Sequence, residues 1–176
     1  MLVKRLITTA VVTVLLVLCQ GTSASAAPGG GATIETSPVS IVITSESCSN
    51  LPDGTTIEGS GTLKSITTTR TDANGITTVR NTSHARGTAT DQDGNTYVFL
   101  YSNEFRVSNS AADPDMYSGL MTDHFSLSGP GPARLSNGFT ARFTTDLVDV
   151  FTNFEPIHAH GDPISFPEGE AHCDPL

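Results

Sequence analysis

The sequence is poor in tryptophan, cysteine and cationic side chains. It contains no Trp, three Cys, and nine Lys and Arg residues against eighteen Asp and Glu residues, which gives a formal net charge of −9 at pH 7. Nucleic acids and anionic membrane surfaces are bound mainly through Lys and Arg contacts with phosphate groups. The composition therefore argues against nucleic acid and against a membrane as partners, and it sets no oligomeric state.

The sequence also lacks the short motifs of common catalytic and cofactor sites. It has no Gly-x-Ser-x-Gly elbow, no phosphate-binding glycine loop that ends in Lys, and neither zinc-finger nor dinucleotide-binding spacing. Residues 91–95 (DQDGN) resemble a calcium loop, but the Gly falls two places too early and no distal Glu follows. We therefore assign no catalytic residue, no cofactor and no metal ligand, and we interpret residues 91–95 as a hairpin turn.

The first residues follow the three-part order of a secretory signal. Lys4 and Arg5 form a basic start, residues 7–18 are almost uninterruptedly apolar, and residues 24–26 (ASA) are small, as a cleavage site requires. The apolar run is too short to span the roughly 30 Å core of a bilayer as a helix. We therefore expect residues 1–26 to be removed and the mature protein to be secreted and extracellular.

Removal of the signal would also remove Cys19 and leave one pair, Cys48 and Cys173. Outside the cell such a pair is expected to form a disulfide, since the compartment is oxidising. The chain-entropy model assigns about 4 to 5 kcal/mol to a loop as long as this one. The alternative, a catalytic thiolate, needs a base and a free partner thiol.

The mature chain is rich in β-branched and aromatic residues and lacks helix-length amphipathic patterns. Residues 27–37 are Gly-rich and should form a flexible leader, the domain should cover residues 38–176, and the segment after His158 should be a coil tail. Turns are predicted at residues 53–54, 74–75, 93–94, 129–132 and 137–138. The strands predicted between them cover residues 39–47, 55–70, 76–91, 95–109, 117–128, 139–146 and 148–158. We therefore predict an all-β domain, a single antiparallel β-barrel made as a meander of seven or eight strands, with a β-sandwich as the alternative.

One hairpin allows its register to be predicted. A three-residue loop with Gly94 in the left-handed conformation pairs Asp91 with Asn95. The pairs that follow on one face are Ala89 with Tyr97, Gly87 with Phe99, Ala85 with Tyr101 and Ser83 with Asn103. Small residues then oppose large ones, as in a strongly curved sheet. Gly59 and Gly61 on the preceding strand are expected to make room in the same way.

Two polar residues interrupt otherwise apolar strand faces. Asn103 is the single amide on the aromatic face of residues 97–107, and Asp123 is the single acid on the face of residues 119–127. If both faces point inward, each group needs a partner, because an unpaired buried polar group costs about 1 to 3 kcal/mol. One interpretation is a structural hydrogen-bond network. The other is a barrel mouth that binds a small, partly apolar ligand through Tyr101, Asn103, Phe105, Asp123 and Phe125.

The segment His158-Ala159-His160-Gly161-Asp162 resembles the His-x-His-x-Asp motif of metallo-β-lactamase-like hydrolases. In an extended segment residues two apart point the same way, so two imidazoles and a carboxylate could converge on zinc. Pro163 stands where that family has another His, and the chain lacks the alternating helices of that fold. Metal binding by His158, His160 and Asp162 is therefore left open as an alternative.

Most of the mature chain resembles a group of small secreted proteins from actinobacteria. The resemblance is carried by residues 61–70, 87–97 and 101–108, and by the ending at residues 161–167 and 172–175. It implies secretion and a β-rich fold, and it brings no functional residue with it. We expect an extracellular β-barrel that binds a ligand without transforming it. The alternatives are a metal-dependent hydrolase, a cofactor-free isomerase or cyclase, and a surface protein that engages another macromolecule.

Overall fold

The structure is a computed structural model that describes residues 31–48, 50–148, 151–161, 164–165 and 172–173. The expected signal, residues 1–26, lies outside these ranges. No helix in the described ranges has the length and apolar character that crossing a membrane requires.

Seven long strands form one antiparallel sheet in the order in which they occur along the chain. The strands are β1 (Gly31–Thr44), β2 (Thr56–Thr71), β3 (Thr77–Asp91), β4 (Thr96–Ser108), β5 (Tyr117–Ser128), β6 (Leu135–Thr145) and β7 (Phe151–His160). A separate hairpin consists of β8 (Ile164–Ser165) and β9 (His172–Cys173). The predicted all-β meander is confirmed. The sheet is not closed, however, because β1 and β7 are its two edges and do not pair with each other in the described part of the chain.

The ends of the sheet differ from the limits expected from sequence. β1 begins at Gly31, so that residues 31–37, expected to belong to the leader, pair with β2 between Gly31↔Thr69 and Ser37↔Leu63. Their side chains are exposed, and backbone hydrogen bonds rather than packing hold them. At the other end β7 continues to His160, and β8 and β9 occupy part of the expected coil tail.

Three of the predicted turns are confirmed by left-handed glycines, and one is wrong. Gly54, Gly75 and Gly94 have φ of 74°, 79° and 82°. The predicted turn at Asn137 and Gly138 does not exist, because both residues lie inside β6, where Gly138 pairs with His124. A Cβ at Gly138 would lie 2.6 Å from the carbonyl oxygen of Asp123, so the absence of a side chain there allows β5 and β6 to approach closely.

The predicted register of the β3–β4 hairpin is confirmed. The N–H of Asp91 donates to the Asn95 carbonyl oxygen at 3.1 Å, and the N–H of Gly94 donates to the Asp91 carbonyl oxygen at 3.0 Å. All four expected small-to-large pairs are present. The Asp91 carboxylate accepts hydrogen bonds from the N–H groups of Asp93 and Asn95 and from the Tyr97 hydroxyl. This carboxylate is thus used to hold the turn, which fits the hairpin interpretation of residues 91–95.

Alternate side chains of the sheet are buried on one face, which we call the inner face. Together with the loop residues Cys48, Leu51 and Ala133, they form two apolar clusters. The first cluster comprises Ile41, Ile43, Cys48, Leu51, Ile57, Ala85, Ala89, Tyr97, Phe99, Tyr101, Phe125, Leu127, Ala133 and Leu135. The second cluster comprises Val79, Phe105, Val107, Met121, Phe139, Ala141 and Phe143. Apart from the short β8–β9 hairpin, the described chain has no second layer to cover this face. Such burial therefore requires the sheet to curl over its own interior.

Glycines on β2 and β3 allow this curvature beneath the aromatic side chains of β4. A Cβ at Gly87 would overlap the ring of Phe99 and the carbonyl oxygen of Ser60, and a Cβ at Gly59 would lie 2.6 Å from that of Ala89. Phe99 itself stacks on Phe125, with ring centroids 6.3 Å apart. The large residues therefore fit only because their partners are small.

Cys48 is fully buried in the first cluster and is disulfide-bonded. The backbone of Cys173 pairs with Ile164 in the β8–β9 hairpin. The side chain of Cys173 lies outside the described part of the structure, so that its pairing with Cys48 stays a prediction.

Replacing Gly87 tests the small-to-large packing. We expect Gly87→Ala to lower the free energy of unfolding by about 1 to 3 kcal/mol, because the added methyl group must displace the Phe99 ring or the β2 backbone. Urea unfolding followed by circular dichroism measures the change. The matched control is Gly31→Ala, since nothing lies within 4 Å of a Cβ at Gly31. Equal stability of both variants would contradict the packing described here.

Candidate functional site

A row of polar side chains crosses the inner face between the two apolar clusters. Ser65 of β2 pairs with Ser83 of β3, Ser83 pairs with Asn103 of β4, and Asn103 pairs with Asp123 of β5. We call these four residues the polar row. Neighbouring strands lie about 4.8 Å apart, so the row extends roughly 14 Å across the sheet.

The β4–β5 half of the row is built around the Asp123 carboxylate. The Tyr101 hydroxyl donates to Asp123 Oδ2 at 2.7 Å, and Asn103 Nδ2 donates to the same oxygen at 2.9 Å. Oδ1 receives neither of these bonds. Asp123 is 6% exposed, whereas Asn103 is only half-buried and is the most accessible inner-face residue of β4 between Tyr97 and Val107.

The β2–β3 half of the row is a compact network of hydroxyl and amide groups. Asn81 Nδ2 donates to Ser65 Oγ and to Thr67 Oγ1, both at 2.8 Å. The Ser83 hydroxyl donates to Asn81 Oδ1 at 2.8 Å and lies 3.0 Å from Ser65 Oγ. These groups satisfy one another, so that this half of the row fits a structural role.

Burial dominates the electrostatics of the carboxylate. It raises the pKa of Asp123 to about 6, although the hydrogen bonds from Tyr101 and Asn103 act in the opposite direction. Burial and the neighbouring Asp123 charge also raise the pKa of Tyr101 well above its usual value. Asp123 makes no ion pair within the described ranges. The site is thus an acid that titrates near neutral pH in apolar surroundings, beside a phenol that stays protonated.

The five residues predicted to bind a ligand lie together on the inner faces of β4 and β5. Tyr101 pairs with Phe125, and Asn103 pairs with Asp123. Phe125 belongs to the first cluster and Phe105 to the second. The polar centre of the site is therefore bounded by aromatic rings along both strand directions.

Sequence reasoning did not include Ser65, Asn81 and Ser83 in the site. A signal was present, because Asn81 and Ser83 are two residues apart on one strand and Ser83 was expected to face Asn103. The position of Ser65 depends in addition on the β2–β3 register, in which it pairs with Ser83.

His158 and His160, which the sequence left open as metal ligands, lie on β7, opposite Thr140 and Gly138, and are exposed. Asp162 lies outside the described residues. Within the described ranges no group of three metal-binding side chains occurs.

No family model matches the chain, and comparison with curated proteins and with solved structures gives no match either. Any functional conclusion therefore rests on the geometry of the structure.

The raised pKa of Asp123 predicts a specific pH dependence of stability. Between about pH 4 and pH 6 the folded state holds a proton that the unfolded state has lost, so that the free energy of unfolding should fall as pH rises, by about 3 kcal/mol in total. Asp123→Asn removes this titration. In urea unfolding series, the free energy of unfolding of Asp123→Asn minus that of the native chain should therefore increase from about pH 4 to about pH 6. The exposed control Asp113→Asn should follow the native curve, and parallel curves for Asp123→Asn would count against the raised pKa.

Removing one hydrogen bond tests how the carboxylate is held. Tyr101→Phe deletes the donor to Oδ2, so the pKa of Asp123 should rise above its native value of about 6. Carbon-13 NMR titration of the carboxyl group measures this directly. Tyr117→Phe changes a half-buried tyrosine outside the row and should leave the pKa of Asp123 unchanged. A fall in this pKa on Tyr101→Phe would show that the hydroxyl does not stabilise the carboxylate.

Proposed function

We propose that this chain is a secreted, extracellular module that binds a small, partly apolar ligand on the inner face of its curled sheet and does not transform it. The observation that carries the proposal is the Asp123 carboxyl group, which is buried between two apolar clusters and makes no ion pair within the described ranges.

A buried acid of this kind is hard to explain by stability alone. Transfer of a carboxylate out of water costs several kcal/mol unless other groups compensate for it. An amide or an apolar side chain at position 123 would avoid that cost. Strongly perturbed acids are concentrated at functional sites for this reason.

The proposed ligand contacts follow from the arrangement of the site. A hydrogen-bond donor of the ligand binds Asp123 Oδ1, the oxygen that Tyr101 and Asn103 do not use. The half-buried amide of Asn103 provides a second polar contact, and the buried rings of Phe105 and Phe125 form the apolar boundary of the site. A few polar groups within an apolar lining are typical of small-molecule sites.

The proposal includes the barrel-like enclosure expected from sequence. Inner-face side chains from β1 to β6 are buried, which supports a sheet that wraps around its own interior. The expected Cys48–Cys173 disulfide would tie the C-terminal hairpin to the loop after β1. The same proposal includes that this chain is a member of the group of small secreted actinobacterial proteins that it resembles.

A second candidate is a cofactor-free isomerase or cyclase. The observation that favours it is the contact between Asp123 and Tyr101, in which an acid with a pKa of about 6 lies 2.7 Å from a phenol. Such a group can exchange a proton with a bound substrate near neutral pH. Conversion of a bound compound at this site would select this function over simple binding.

A neutral fluorescent probe tests the binding proposal. N-phenyl-1-naphthylamine is largely apolar and carries one N–H donor, and its fluorescence rises in apolar surroundings. We expect it to bind the full, secreted protein. Asp123→Asn should weaken binding about tenfold, equivalent to about 1.4 kcal/mol, because a neutral amide oxygen is a weaker acceptor than a carboxylate.

A control variant and a test of the native protein for any bound small molecule decide whether the probe reports on the proposed ligand site. The control Asp113→Asn should bind the probe like the native protein, because Asp113 is exposed outside the site. A native protein that takes up no probe and, in native mass spectrometry, carries no small molecule from the culture medium would refute the proposed ligand site.

A further inference from the structure

Three arginines lie in one cross-strand row on the outer face of the sheet. Arg80 of β3 pairs with Arg106 of β4, Arg106 pairs with Leu120 of β5, and Leu120 pairs with Arg142 of β6. We call Arg80, Arg106 and Arg142 the arginine row. The chain has only nine Lys and Arg residues and a net charge of −9, so this concentration of positive charge is unusual for it.

The arginine row contributes little to the stability of the fold. Like charges directly opposite each other on neighbouring strands are destabilising. Arg80 is paired with Glu104 at 2.8 Å, and Arg142 lies 3.8 Å from Glu155, but all four side chains are at least half exposed, and such pairs contribute little. Arg106 has no ion pair within the described ranges. Its positive charge is therefore available to a ligand.

A groove opens beside the arginine row where β6 and β7 pair irregularly. The register shifts between Arg142 and Thr144, and Asn153 on β7 has a left-handed φ of 52°. The groove has a volume of about 410 Å³ and is lined in part by Leu120, Arg142 and Asn153. The side chain of Leu120 is 48% exposed, so that the groove offers an apolar surface between charged groups.

We propose that this groove binds a small organic anion with an apolar body. The apolar body packs on Leu120, while the anionic group is held by Arg142, which lines the groove, and by Arg106, which lies outside the lining on the neighbouring strand, opposite Leu120. The Cα atoms of these two arginines are two strand spacings apart, about 10 Å, a gap that both long side chains can narrow by leaning over Leu120. The hydroxyls of Ser118 and Thr144, which lie 3.1 Å apart, add polar contacts at the edge of the groove.

Glu155 restricts the charge of the ligand. It lines the same groove and lies near Arg142, so that its negative charge opposes part of the attraction. A singly charged anion is therefore favoured over a multiply charged one. Because the groove is on the outer face, it is separate from the polar row on the inner face.

The probe for this site is 8-anilinonaphthalene-1-sulfonate, which adds a sulfonate group to the neutral probe used for the inner site. We expect the native protein to bind it. Arg106→Gln and Arg142→Gln should each weaken binding about tenfold, whereas Glu155→Gln should strengthen it. The exposed arginine control, Arg134→Gln, should bind like the native protein. Higher ionic strength should weaken native binding, because the charges at this surface are exposed to solvent.

The inner and outer sites can be distinguished by their variants. The proposal is overturned if the native protein does not bind the sulfonate probe, or if both arginine variants bind it as the native protein does. Loss of sulfonate binding in Asp123→Asn alone would place the probe at the inner site. That result would support the ligand site on the inner face and reject the one in the groove. The neutral probe should bind Arg106→Gln with native affinity.

Discussion

The structure depends on one constraint: a single antiparallel sheet must bury its inner face without a second layer among the described residues. We infer from the burial of this face that the sheet curls, and small residues opposite large ones allow it to do so. Gly87 beneath Phe99 and Ala89 opposite Tyr97 show how this works at neighbouring positions. The two apolar clusters, and the polar row between them, follow from this arrangement because all inner-face side chains then share one interior.

A structural role accounts for the β2–β3 half of the polar row but not for the β4–β5 half. The hydroxyl and amide groups of Ser65, Asn81 and Ser83 satisfy one another and need no ligand. The carboxyl group of Asp123 receives two hydrogen bonds, yet it remains an acid in apolar surroundings, with a pKa raised by burial to about 6. This imbalance is the reason for placing the proposed ligand at the β4–β5 half of the row.

The outer face has a different chemical character. It carries exposed hydroxyls, exposed apolar residues such as Leu100 and Leu120, and the arginine row. The irregular pairing of β6 with β7 shapes a groove beside the arginine row, where a regular sheet would present a smooth surface. A binding site on each face is compatible with one thin sheet, since successive side chains of a strand point to opposite sides.

The strand content, most strand limits and the β3–β4 register follow from the sequence alone, because alternation of side chains and glycine-containing turns are local properties. Tyr101, Asn103 and Asp123 were placed on otherwise apolar strand faces for the same reason. Local pattern failed at Asn137 and Gly138, where a turn-like pair lies inside β6, and at residues 31–37, which pair with β2 despite their exposed side chains. The tertiary fold determines that β1 and β7 do not pair in the described ranges, that Ser65 lies in the polar row, and that three arginines align. The first of these concerns β1 and β7, which lie at opposite ends of the meander. The other two depend on the pairing register of consecutive strands whose connections, unlike the β3–β4 turn, do not by themselves specify that register.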